Sequence, residues 1–338
     1  MRDWTATSFL QSSGTFWECF TLHAALELDL FTPLAAGPLR VEELAARTSC
    51  SLRGTGMMVT ALCALELLRR TEDGACALTP FARQYLCRDS RDYLGYIVEH
   101  HRRLAPYWLD LARAVQAGHS LRRQDTAPTD DRESFLMGMR NVANAQAHRS
   151  VPHIDVGGRS RLLDLGGATG AYAVRFCREH PGMTATVFDL PSSRPYAAKV
   201  LAGEGMQERI TFVAGDFTRD ELPAGHDIAW LSQILHSLDP ATAALVVRKA
   251  GQALVDGGLL LIQEFTLDDQ GTGPVHPALF SLNMLLQTPG GQAYSQGELA
   301  AFMRDAGAEN VRVLPLDLPQ GCKVLAGEIR RRPGAQGA

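Results

Sequence analysis

Residues 161–170 read Arg-Leu-Leu-Asp-Leu-Gly-Gly-Ala-Thr-Gly, a short apolar strand running straight into a glycine loop. The glycines permit a tight turn and a close approach of backbone to a ligand. Beyond this stretch, apolar runs alternate with helical patterns. Helices are predicted over 171–180, 194–204, 241–255 and 298–306. Strands are predicted over 184–188, 210–213, 227–231 and 259–264, with Gly257-Gly258 turning into the last of these. Residues 311–314 and 323–326 are expected to pair around the Pro319-Gln-Gly321 turn. This alternation specifies an α/β fold, a Rossmann-like, mostly parallel sheet covered by helices on both faces. The closing hairpin adds an antiparallel edge.

Before residue 155 the texture differs. Helical patterns cover 17–30, 41–46 and 53–68. Residues 70–79 look like a two-strand wing turning at Asp73-Gly74, and Thr79-Pro80 opens a further helix with Thr79 as its cap. Helices followed by a wing make a winged-helix pattern. Such a unit either reads DNA or packs against a second copy. Residues 1–100 hold nine Arg and no Lys against twelve Asp and Glu, a net of -3. A DNA reader inverts that balance, so dimerisation is the preferred reading and nucleic acid is not an expected partner. Residues 16–31 carry more apolar surface than a three-helix unit can cover, which points to a homodimer. Residues 101–150 are helical in pattern apart from the polar stretch 120–133, the best linker candidate. The expected organisation is a dimerisation domain over 1–100, a helical linker over 101–155 and a catalytic domain over 156–338.

The 338 residues are 46% hydrophobic and 21% charged, with a net charge of -4. No apolar run reaches the roughly 18 residues of a membrane span, and the first residues lack the apolar core of a signal peptide. The seven cysteines are odd in number and form no C-x-x-C. That argues against a zinc or disulfide framework and for a reducing cytoplasm.

In an open α/β sheet, ligands bind outside the carboxyl ends of the strands. The loop after the first strand does not fit G-x-G-x-x-G in either frame, because positions 168, 169, 171 and 172 are Ala, Thr, Ala and Tyr. A dinucleotide site is thereby weakened, and a purely structural turn stays open as a reading of the loop. Asp189, 19 residues beyond Gly170, ends the second strand, where a carboxylate can accept both hydroxyls of an adenosine ribose. A helix cap is the other reading. Gly215-Asp-Phe217 ends the third strand with an acceptor beside an aromatic, suited to an adenine. Three consecutive strand ends thus offer adenosine-type contacts. No metal is assigned: His148, His153 and His276 lack ligand spacing with carboxylates, and His100-His101 reads as a solvated face. Tyr107, Trp108 and Phe280 could line a flat apolar pocket or serve only as core.

Asp164-Leu-Gly-Gly-Ala-Thr-Gly170, Val187-Phe-Asp-Leu-Pro191, Gly215-Asp-Phe217 and Ile234-Leu-His236, in this order, resemble the motifs of class I S-adenosylmethionine-dependent O-methyltransferases. The subgroup is that of caffeic acid and acetylserotonin O-methyltransferases, and Ser281-Leu-Asn-Met-Leu285 followed by Gly290-Gly291 adds to the likeness. It covers nearly the whole chain, since that family places a helical dimerisation domain before the catalytic one. The resemblance implies S-adenosylmethionine as cofactor. It puts Gly166 and Gly167 under the methionine part, Asp189 on the ribose, Leu190, Asp216 and Phe217 around the adenine, and Ser232 and Met139 near the cofactor. It further implies His236 as general base, Glu264 as the carboxylate orienting it, and Asn283 and Met284 as substrate-pocket residues.

Three positions depart from the family pattern. Ala168 replaces a third glycine, His236 is followed by Ser237-Leu238 rather than Asp-Trp, and Ala293 stands where plant members carry a second glutamate. The expected activity is metal-independent O-methylation of a small, aromatic hydroxylated molecule. The same fold could instead serve N- or C-methylation or chemistry without methyl transfer. A winged-helix regulator is the alternative of another class, disfavoured by the acidic first hundred residues.

Overall fold

A computed structural model describes residues 4–121 and 131–331, so most of the polar stretch 120–133 lies outside the described residues. The chain divides into two compact units. One comprises Met1–Pro106 and Met137–Asn141, the other Tyr107–Leu136 and Val142–Ala338.

The first unit opens with α1 (Ala6–Ser13), capped by Thr5 and Ser8 in a reciprocal capping box. α2 (Phe16–Glu27), α3 (Val41–Arg47) and α4 (Leu52–Ala64) follow. The helix expected to run to residue 68 stops at Ala64, because Glu66 turns the chain at φ 57°. β1 (Leu68–Arg70) and β2 (Cys76–Leu78) form an antiparallel ribbon with Leu68 opposite Leu78. Thr79 caps α5 (Pro80–Tyr85) through the Ala82 amide, with Pro80 in the first turn where its missing N–H costs nothing. α6 (Gly95–Leu109) is the next helix. Leu30, Phe31, Leu44, Val59, Leu62 and Cys76 are buried together as this unit's core. By contrast Phe16, Trp17 and Phe20 on α2 are 54%, 72% and 47% exposed.

The second unit carries α7 (Leu111–Ala117), and α8 (Asp131–Ser150) passes through the segment 137–141 assigned to the first. Then come β3 (Arg161–Leu165), α9 (Ala171–Glu179), β4 (Thr184–Asp189), α10 (Arg194–Glu204), β5 (Ile210–Ala214), β6 (His226–Ser232) and α11 (Pro240–Ala253). β7 (Leu254–Phe265), α12 (Val275–Gln287), α13 (Gln296–Asp305), β8 (Ala308–Val313) and β9 (Cys322–Ile329) complete the described chain. The strands form a seven-stranded sheet in the order β5-β4-β3-β6-β7-β9-β8. β3 to β7 are parallel, and β9 runs antiparallel between β7 and β8.

Side chains alternate between two cores, as strand pleating requires. Leu162, Trp230, Leu261 and Val324 belong to one face with Tyr172 and Phe176 of α9. Leu163, Leu231, Leu260 and Leu325 belong to the other with Val246 and Val247 of α11. Both faces are covered, so these strands read as continuous apolar runs. The α/β sheet expected from the sequence is therefore present. Two elements differ from expectation. β7 starts at Leu254, upstream of Gly257-Gly258, and residues 275–287 form a helix that the apolar pattern did not announce.

Candidate active site

The carboxyl ends of β3, β4, β5, β6 and β7 share one rim because these strands are parallel. After β3 the chain turns through Gly166 at φ 69°, Ala168 at φ 50° and Gly170 at φ 79° into α9. The Gly170 amide donates to the Gly167 carbonyl at 2.7 Å, which closes the loop. A Cβ at Gly166 would lie 2.6 Å from Ile234 Cγ2 and 3.3 Å from the Phe217 ring. Gly166, Phe217 and Ile234 are thereby brought together, and a side chain at 166 would have to push Ile234 aside from a strained left-handed backbone. Ala168 holds a left-handed conformation that costs a non-glycine residue about 1–2 kcal/mol.

Asp189 at the end of β4 reaches back to this loop. Its Oδ2 accepts the Ala168 amide at 2.9 Å, while Oδ1 accepts the Leu190 amide and the Ser193 hydroxyl, each at 2.7 Å. Three of about four acceptor positions of a carboxylate are thus used within the protein. Leu190 beside it is exposed. After β5, Asp216 accepts the amide and hydroxyl of Thr218 at 2.9 and 2.6 Å, and those bonds hold its carboxyl below the usual carboxylate range. The Lys249 ammonium donates to the Phe217 carbonyl at 2.6 Å, fixing the turn that presents the ring.

Asp164 lies beneath the loop, its carboxyl carbon 2.6 Å from where a Cβ of Gly167 would stand. It accepts the Ala173 amide at 3.2 Å, and burial pushes its pKa up to about 7. An unfolded aspartate releases its proton near pH 4, so between about pH 4 and 7 the folded state holds an extra proton. This group's contribution to stability is therefore largest in acid and falls as pH rises through that window. Urea midpoints of wild type should drop across it, and those of Asp164→Asn should drop less. Parallel pH profiles would show that another group is responsible.

At the β6 end, Ser232 Oγ lies 3.3 Å from Gln263 Nε2. The same amide nitrogen is 2.8 Å from Gln146 Oε1 and 2.5 Å from the Tyr172 hydroxyl. Sequence reasoning missed this buried polar cluster, because its members come from α8, α9, β6 and β7 and no spacing links them.

His236 follows on a short turn, Leu235–Ser237. β6 and β7 are neighbours in register, with Ser232 opposite Gln263, so Glu264 comes up beside the turn. His236 Nδ1 and Glu264 Oε2 are 2.8 Å apart, and Glu264 Oε1 accepts the Leu235 amide at 2.8 Å. The glutamate side chain is 1% exposed and the imidazole 12%. Phe280 of α12 meets the imidazole edge-on at 4.8 Å and 90°. Ala293 is buried, so Glu264 is the carboxylate partner of His236 among the described residues. The Gly290-Gly291 turn seats the catalytic candidate from the other side. A Cβ at Gly291 would lie 2.3 Å from the His236 carbonyl oxygen and 2.9 Å from the Ser237 carbonyl carbon. Gly291→Ala should then displace the His236 backbone. A shift of that kind costs about 10²-fold in turnover. Wild-type turnover in the variant would show that the contact relaxes freely.

Asn283 Oδ1 accepts the Trp108 indole N–H at 3.2 Å, which leaves the amide NH₂ for a ligand. Met284 is buried in the same helix. Met139 sits in the 137–141 segment of the first unit and is half-buried there.

The glycine cradle, the carboxylate at Asp189 and the ring of Phe217 fit an adenosine linked to an amino acid. Gly166 and Gly167 would lie under the amino-acid part, with Asp189 at the ribose and Leu190, Asp216 and Phe217 at the base.

Comparison with known proteins gives matching families for both parts of the chain. An O-methyltransferase dimerisation domain matches residues 10–88 and an O-methyltransferase domain matches residues 110–309. The 3-hydroxy-5-methyl-1-naphthoate 3-O-methyltransferase of Streptomyces sahachiroi is 37% identical over 92% of this chain and 92% of its own length. Acetylserotonin O-methyltransferase of Bos taurus is 31% identical over 86% of this chain and 89% of its own. The crystal structure of human N-acetylserotonin methyltransferase in complex with SAM superposes with a TM-score of 0.87, at 25% identity over 98% of this chain and 99% of that one.

Proposed function

Because this chain belongs to the S-adenosylmethionine-dependent O-methyltransferase family, we propose that its own reaction is methylation of a hydroxyl on a fused-ring aromatic, with His236 as general base. The observation that carries the role of His236 is its 2.8 Å contact through Nδ1 with the buried Glu264. The naphthoate relative supports the fused-ring acceptor.

When bound, S-adenosylmethionine would supply a methyl activated by its sulfonium, the carbon–sulfur bond breaking and S-adenosylhomocysteine leaving as the acceptor oxygen bonds the carbon. The protein's part is to ready that oxygen. Glu264 accepts the Nδ1 proton of His236, so the neutral imidazole carries its lone pair on Nε2. Nε2 takes the proton of the acceptor hydroxyl as the oxygen–carbon bond forms. The imidazolium so produced is stabilised by the carboxylate, which the Leu235 amide holds in place. Glu264 is thus a positioning residue. Asp189 and the Gly166-Gly167 turn hold the donor, and Ser232 stands at the same rim. Asn283 and Met284 contribute to the acceptor side.

Incubating the enzyme with S-adenosylmethionine and a panel of naphthols tests the reaction. A product heavier by one methyl, bonded to oxygen, is expected. Methyl on nitrogen or carbon with amine or enol acceptors, and none on oxygen, would overturn the reading.

The working assembly is proposed to be a homodimer of winged-helix-type first units. The exposed Phe16, Trp17 and Phe20, within the matched dimerisation domain, support it. Light scattering should give twice the chain mass. A stable monomer at micromolar concentration would remove the argument. Cytoplasmic residence is proposed from the seven free thiols, and among the described residues no helix is long and apolar enough to cross a membrane.

A further inference from the structure

α12 carries His276, Phe280 and Asn283 at intervals of four and three, so all three share one face of the helix. Phe280 brings that face to the base through its 4.8 Å edge contact with His236. His276 lies nearly parallel to Phe280, at 6.2 Å and 15°, and meets Phe265 edge-on at 4.7 Å. Phe265 and Phe280 pack on each other at 5.0 Å. Within this aromatic cluster His276 Nε2 is buried and has no hydrogen-bond partner among the described residues.

Buried polar atoms are nearly always bonded in native proteins, and an exception calls for an explanation. Here the two ring distances through Phe280 put the imidazole centres of His276 and His236 at most about 11 Å apart. One aromatic acceptor can bridge that span. We propose that His276 Nε2 hydrogen-bonds a second oxygen substituent on the methyl acceptor, while His236 engages the hydroxyl to be methylated. This inference rests on the aromatic-acceptor reading above.

The chemistry of the cluster selects the kind of oxygen. Burial lowers the tendency of His276 to take a proton, so the ring is neutral near pH 7. A neutral imidazole packed against two phenyl rings offers a hydrogen bond but no positive charge. Burying a carboxylate there costs more than one neutral hydrogen bond returns. A hydroxyl fits because it can donate to or accept from Nε2, and a carbonyl fits as an acceptor when Nε2 carries the proton.

The test compares 2-naphthol with a panel of dihydroxynaphthalenes as acceptors. Wild type is expected to show, for at least one diol, a KM about five- to tenfold below that for 2-naphthol, the ratio given by one neutral hydrogen bond. His276→Phe keeps the ring packing and removes the nitrogens, and His276→Leu serves as a second variant. Both should raise the diol KM to the naphthol value. Neither should change the affinity for S-adenosylhomocysteine, and the ratio of naphthol KM to diol KM should fall to about one in both. A diol preference that survives in the variants overturns the proposal. So does a wild type that methylates 2-naphthol and diols with equal KM, which leaves the aromatic-acceptor reading standing. A wild type that methylates none of them overturns both.

Discussion

Replacing His236 with alanine lowers single-turnover methyl transfer by about 10²–10⁴-fold, the range typical of general-base loss. Affinity for S-adenosylhomocysteine should stay close to that of wild type, because His236 is not among the residues proposed to hold the donor, Gly166, Gly167 and Asp189. The deficit narrows for acceptors whose hydroxyl is already ionised, since no proton then needs removing. Glu264→Gln costs less than His236→Ala, because the base remains while its orientation and the charge opposite the imidazolium weaken. The buried Glu264 also accepts the Leu235 amide, so the glutamine must satisfy that bond to keep the turn in place. Rates measured across about pH 6 to 9 separate the roles: a base variant loses the pH dependence that the wild type shows. Transfer at the wild-type rate by His236→Ala throughout would make the histidine structural.

Asp189→Ala should weaken binding of S-adenosylhomocysteine by about 10–10²-fold through the one acceptor position its carboxylate has left, the equivalent of one charge-assisted hydrogen bond of about 1.5–3 kcal/mol. The carboxylate also ties the Ala168 amide to the end of β4, so part of the loss comes from a loosened loop. Asp189→Asn divides the two effects. Its side-chain oxygen can still accept the Ala168 amide, while the charge is gone. Calorimetry should place this variant between wild type and alanine. Equal affinities in all three would remove Asp189 from the site.

The sheet was legible because its strands are continuous apolar runs ending in glycine or aspartate, as at Leu165-Gly166 and Phe188-Asp189. The His236–Glu264 pair was legible too, once β6 and β7 were expected to be neighbours. Residues 275–287 were not. The segment has Pro277 in its first turn and Ser281 and Asn283 in its middle, and Pro274 before it provides no side-chain cap. Its helix is set by tertiary packing, with Phe280 against His236 and Trp108 on Asn283. The end of α4 escaped for another reason. Glu66 takes a left-handed turn that sequence patterns reserve for glycine or asparagine. The engagement of Asp189 with the Ala168 amide joins residues 21 apart through a backbone group, which no side-chain pattern records.

The position of β9 governs how the catalytic unit comes into being on the ribosome. β9 is last in the described order, yet it sits between β7 and β8, pairing Leu261 with Ala326 on one side and Val313 with Leu325 on the other. Until residues 322–329 have left the exit tunnel, β7 offers a bare edge and β8 has no strand to join. Loop closure over such separations is slow, and unpaired edges invite association with other chains. The nascent second unit therefore waits, half-assembled, for its final strand. The first unit's ribbon and helices are local in sequence and can fold while synthesis continues.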